Sequence, residues 1–287
     1  MFACLTLQPN HARAWRKAAP PQLHRVDCPG GAPFFRLEAQ QRKHAIDWNA
    51  IEQAAGRLRT KMLFPEGVSP PTLPVIDSPA RAKLEPGLRA FAPRRLPLLL
   101  CLRTAQQVLR ASKAPAQGLR VTVVDTKGAL CRCLEPLVPL AGSLRVFTPD
   151  FAAYRGTAAQ LLRRYGATLI LSDSPGCFAH SDIVVADSLD LFTGRERGLI
   201  FTPDPALLPG CRVVRCRQPE LPGACAHLRP EGIDPLLFAG ALYELCGVKE
   251  MERLRFGHFA FDGNSAAHSL ADLSSILDAS PSAVRAN

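Results

Sequence analysis

The run VTVVD at residues 121–125 constrains this chain more than any other feature. A nearly unbroken apolar, β-branched run of that length marks a strand buried on both faces. Such a strand needs a covering layer on each side of its sheet, which points to an α/β architecture. The pattern after Gly118 agrees. Strand-like runs recur at residues 144–148 (LRVFT), 167–171 (ATLIL), 182–186 (DIVVA), 199–201 and 212–215. Between them, helices are expected over residues 128–140, shortened or bent by Pro136 and Pro139, and over residues 151–165, stopped by Gly166. Strands alternating with helices predict a parallel sheet.

The first part of the chain is built differently. Three short extended runs, at residues 2–7, 22–27 and 33–38, precede a helix capped by Asp47, with Ile51, Ala54, Ala55, Leu58 and Met62 at helical spacing. Prolines then punctuate the chain to about residue 95, with one strand expected at residues 73–76. The fold class expected is therefore α/β: a Rossmann-like parallel sheet in the second half, preceded by a smaller α+β domain. The boundaries are residues 1–95 for the small domain, 96–114 for a connecting helix and 115–255 for the sheet domain. A closing helix starts at the Asp234-Pro235 cap and ends at Gly247, and residues 256–287 read as a weakly ordered tail with a short helix near 270–277.

Composition narrows the function classes. The longest dense apolar stretch, residues 96–102, contains Pro97 and falls far short of the roughly 20 residues of a helical membrane span. The N-terminal residues put their charge after the apolar run and do not read as a signal peptide. Ten scattered cysteines without a C-x-x-C pair fit a reduced, cytoplasmic protein whose thiols are small core residues, and they exclude a paired-ligand zinc site. No histidine falls at H-x3-H or H-E-x-x-H spacing, and no P-loop or G-x-S-x-G elbow occurs. The net charge of +10 is uneven: residues 1–120 carry 19 Lys and Arg against 7 Asp and Glu. That asymmetry allows the basic first 120 residues to dock on nucleic acid or another acidic partner. Arginine outnumbers lysine 28 to 7, without a basic stripe, which fits a GC-rich genome equally well.

Three phrases carry a family resemblance: VTVVDTKGALCRCL, SDIVVADS and LIFTPDPALLPGCRVVRC. With their order of elements, residues 118–247 resemble the NAD(P)-binding Rossmann domains of shikimate dehydrogenase-like and glutamyl-tRNA reductase-like proteins. The resemblance implies a bound NAD or NADP and hydride transfer with a small polar substrate. In the family, a G-x-G-x-x-G turn approaches the pyrophosphate and an acidic residue about 20 positions on binds the ribose. The matching turn here is Thr126, Lys127 and Gly128, with Gly128 the one glycine present, and Asp150 stands near the ribose position. The alternative role of Asp150 is to cap the following helix. The loop after the third strand offers Ser172, Ser174 and Cys177 to the same crevice, and Thr202 and Asp204 follow the fifth. The family's catalytic lysine–aspartate pair finds only Lys61 and Asp77 for comparison. With glycines missing and no catalytic set, a Rossmann-fold binding or regulatory protein holding no cofactor is the second reading.

Overall fold

The computed structural model describes residues 2–9, 19–41, 47–61, 73–76, 88–178, 180–261 and 268–279. The chain divides into two compact units, Met1–Leu96 with Leu221–Leu254, and Pro97–Glu220 with Arg255–Asn287.

The first unit holds a five-stranded sheet of β1 (Ala3–Pro9), β2 (Gln22–Val26), β3 (Phe34–Gln41), β4 (Leu73–Ile76) and β5 (Leu88–Ala90), in the order β2-β3-β1-β4-β5. All neighbours are parallel except β2 and β3. Helix α1 (Trp48–Lys61) lays Ile51, Ala54 and Ala55 against Ala3, Leu5, Leu37 and Ala39, as the helical spacing requires. The sequence pattern assigns residues 235–246 to the sheet domain, but α5 (Pro235–Cys246), like the short α4 (Gly223–Ala226) before it, belongs to this first unit. Its local signals are as expected: Asp234 accepts from the Leu237 N–H at 2.8 Å, and Gly247 ends the helix in the left-handed conformation. What assigns it is packing. Phe238 sits edge-on to Phe2 and Phe34, whose own rings stack 5.0 Å apart. Glu244 of α5 accepts from the backbone N–H groups of Arg94, Arg95 and Leu96, which open α2 (Arg95–Ala111).

The second unit is a seven-stranded sheet of β6 (Arg120–Val124), β7 (Ser143–Phe147), β8 (Leu169–Ser172), β9 (Ile183–Ala186), β10 (Leu199–Phe201), β11 (Arg212–Glu220) and β12 (Arg255–Phe261). The spatial order is β8-β7-β6-β9-β10-β11-β12. Counted from β6, that is 3-2-1-4-5-6-7, the Rossmann order with one added strand. The first six are parallel and β12 is antiparallel to β11. The segment after residue 255, read from sequence as a weakly ordered tail, thus supplies an edge strand. It also supplies α6 (Leu270–Asp278), which starts with a Ser269–Asp272 capping box. Strand β12 escapes the sequence reading because ladder hydrogen bonds to a distant strand hold it.

The crossovers are unusually lean. Among the second unit's described crossovers, only α3 (Phe151–Tyr165) is a full α-helix between parallel strands. The helix expected over residues 128–140 is a set of turns followed by a 3₁₀ helix, Glu135–Leu140. Pro136 and Pro139 remove the N–H donors that an α-helix would need there. Later connections are a short 3₁₀ helix, Pro175–Phe178, and two loops whose lengths are near the minimum for a parallel crossover. Their apolar residues cover the sheet instead: Phe178 packs edge-on to Phe147 and stacks on Phe192, over Val124, Val184, Ala186, Ile200 and Val213. No described helix is long and apolar enough to cross a membrane.

Candidate functional site

In an open parallel sheet, ligands bind beyond the carboxyl ends of the strands, where the chain's direction of winding reverses. Here that point lies between β6 and β9. The β6 strand delivers Asp125 and the turn Thr126-Lys127-Gly128; β9 delivers Asp187.

Asp125 is fully buried. Its Oδ1 accepts from the N–H of Lys127 at 3.3 Å and of Ala129 at 3.0 Å, and its Oδ2 accepts from the N–H of Leu130 at 2.7 Å. The Tyr154 hydroxyl of α3 donates to the same Oδ2. Burial and the neighbouring Asp125 carboxylate push the Tyr154 hydroxyl well above its ordinary range, so it stays protonated and donating. Gly128 adopts φ +68°, a region where other residues are strained. A Cβ there would also stand 3.0 Å from the Ala153 Cβ. The turn therefore wraps around its own preceding carboxylate.

At the end of the neighbouring strand β9, Asp187 Oδ2 accepts from Thr126 N at 2.9 Å and from Thr126 Oγ1 at 2.5 Å. Asp187 Oδ1 is buried with no hydrogen-bond partner among the described residues. The two strand ends at the switch point are thus bridged by side chain and lined by two carboxylates. Lys127 is exposed beside them.

These bonds bear directly on a dinucleotide. The family's turn offers free N–H groups to a pyrophosphate, with a helix dipole behind them. Here the equivalent N–H groups of residues 127, 129 and 130 already have an anionic partner. No α-helix begins at the turn, and two carboxylates repel phosphate. The residues present do not fit a pyrophosphate held in the family's manner.

The other expected site residues are spread along the same sheet edge. Asp150 is exposed and caps α3 by accepting from the Ala153 N–H at 3.1 Å, the alternative role read from sequence. Ser172 ends β8, two strands from β6 or about 10 Å across the ladder. Its Oγ accepts from the Ser174 N–H at 3.1 Å, closing a turn. Ser174 in turn accepts through its carbonyl from the Cys177 N–H. Burial pushes the Cys177 thiol up, against the opposing effects of Ser172 and the Arg145 guanidinium, so it is no activated nucleophile. Thr202 and Asp204 do turn chemistry: Thr202 Oγ1 accepts from Asp204 N, and Asp204 accepts from the N–H groups of Leu189 and Ala206. The structure brings together Thr126, Lys127 and Gly128 and leaves Ser172 and Ser174 apart from them. Asp77 and the side chain of Lys61 lie outside the described residues. Among those described, no group of three or more His, Cys, Asp and Glu is arranged to hold a metal ion.

Sequence reasoning missed Asp125 as the acceptor around which the turn closes, and passed over Asp187 and Tyr154. A signal for the first was present, because Asp before a turn accepts from N–H groups two and more residues on. Tyr154 lies on another element and had none.

Fold and strand-end geometry together define a Rossmann-like α/β protein whose switch-point turn closes on its own aspartate. No protein-family model matches the chain, and no curated protein matches it.

Proposed function

We propose that this chain is a Rossmann-fold binding or regulatory protein that works without a dinucleotide, rather than an NAD(P)-dependent oxidoreductase. One observation carries the reading: the Asp125 carboxylate holds the three backbone N–H groups that a pyrophosphate would need. The lean crossovers support it, since the helix that would point its N-terminus at the cofactor is replaced by turns. The scaffold then serves to present surface loops to a partner.

The test is thermal unfolding with and without millimolar NAD, NADH, NADP and NADPH. A ligand binding only the folded state at a hundred times its Kd adds about 2.7 kcal/mol. The expected result is an unchanged midpoint with all four. A rise with any one would overturn the proposal and return the oxidoreductase reading.

A further inference from the structure

Three of the four exposed large apolar residues among those described fall within nine positions, at one edge of the second unit's sheet. Leu162 is 56% exposed, Tyr165 49% and Ile170 43%. Leu162 and Tyr165 lie on the last turns of α3, and Ile170 lies on β8, the outermost strand. Ile170 pairs in register with Arg145, which donates to the carbonyl of Cys177 in the 3₁₀ helix. Leu169 and Leu171 point the other way by strand alternation. Apolar side chains are therefore set on both sides of an edge that has no further strand among the described residues.

Edge strands are usually guarded by a charge, a proline or a bulge. The β8 sequence, LILS, has none of these. What it has is opposite charge at its two ends. Arg163 and Arg164 stand on the last turn of α3, six and five positions before its start, and Asp173 stands immediately after its finish, all three exposed. Arg164 also pairs with Glu135 at 3.1 Å, while Arg163 bonds back to its own helix at Ala159 O.

That arrangement is complementary to itself when reversed. A second β8 laid antiparallel against the first brings the Asp173 end of one copy to the Arg163–Arg164 end of the other, twice, about one twofold axis. A parallel neighbour would set like charges side by side. We infer that the β8 edge is a homodimer interface in which two copies pair β8 antiparallel into one continuous sheet. Ile170, Leu162 and Tyr165 close over the joint.

Sedimentation velocity of the full chain across the micromolar range tests this. The wild type is expected to sediment as a concentration-dependent dimer, and Ile170→Lys as a monomer with unchanged circular dichroism. Should Ile170→Lys fail to fold, Asp173→Arg keeps the test open, because Asp173 is exposed and outside the strand. Asp173→Arg alone is expected to weaken the dimer by about tenfold, and Arg163→Asp with Asp173→Arg to restore it. A wild type that stays monomeric throughout would overturn the inference. So would a dimer that ignores Asp173→Arg, or one that the double reversal leaves weakened.

Discussion

Replacing Asp125 by alanine is the most direct challenge to a carboxylate-centred turn. The substitution removes the acceptor for three backbone N–H groups and the Tyr154 hydroxyl in a fully buried place. The Lys127 contact, at 3.3 Å and on an exposed residue, counts least. Hydrogen bonds to a charged group contribute about 1.5–3 kcal/mol each, and breaking a buried charged cluster typically costs about 3–5 kcal/mol. That range is expected here, which lowers the unfolding midpoint by roughly 6–20 °C for a chain of this class. Two readouts separate a local effect from a general one. Amide hydrogen exchange should accelerate at Ala129 and Leu130 before the rest of the sheet. Millimolar pyrophosphate should raise the midpoint of Asp125→Ala and leave the wild type unmoved, since only the variant has free N–H donors. A variant within about 1 kcal/mol of wild type, with Leu130 still protected, would refute the role given to Asp125.

Other perturbations follow from the same geometry. Gly128→Val should destabilise by about 1–3 kcal/mol in urea unfolding, because a branched side chain at φ +68° is strained and meets Ala153. Thr126→Val removes the hydroxyl donor to Asp187, and a loss of about 1 kcal/mol is expected. Burial opposes charge on Glu196 and Asp204. The N–H donors of Thr193 around the first and of Ala206 and Leu189 around the second outweigh it, so both carboxyls lie below their usual range. Groups with depressed folded pKa values add stability above their unfolded pKa. Unfolding free energy should therefore fall as pH drops below about 4, and a flat profile there would contradict the assignment. Burial pushes the Cys28 thiol up to about 12 and Cys246 to about 11, so neutral-pH alkylation of the native protein should spare both, whereas denaturant exposes them to modification.

How much of this was legible in sequence depends on the range of the interaction involved. The bounds of helix α3 were readable to the residue, because their signals are local, Asp150 before it and Gly166 after it, but its buried face was not, since Leu162 is exposed. The bounds of α5 were readable in the same way, from Asp234, Pro235 and Gly247, although its place in the first unit was not readable. Nothing near Phe238 says that Phe2 and Phe34 will meet it. The six parallel strands were readable from apolar runs. Strand β12 was not, since residues 255–261 are stabilised by pairing with β11 rather than by a run of their own. Pro136 and Pro139 warned of a bent helix, and the chain answered with a 3₁₀ turn instead. Within the crevice, the turn's position was readable and its occupant was not. The bond from Tyr154 to Asp125 spans 29 positions and exists only once α3 has docked.

The filled turn also bears on how a Rossmann-like strand end does without a cofactor. A strand end that presents several N–H groups must satisfy them, because buried donors left unpaired are costly. A bound pyrophosphate does this in the dinucleotide-binding version, and in its absence water or a side chain must. An aspartate placed at the head of the turn satisfies them permanently. It is held covalently and loses no translational freedom on binding, whereas a free dinucleotide must recover that cost from its contacts. Once the carboxylate is in place, the glycines that let a backbone approach phosphate have no remaining task. Gly128 supplies the positive φ that the turn around Asp125 requires. The helix behind the turn loses its electrostatic purpose as well, and prolines can shorten it at little expense to the sheet. On the proposed function, the single glycine, the 3₁₀ crossover and the buried carboxylate fit one physical account, a turn whose N–H groups the chain satisfies for itself.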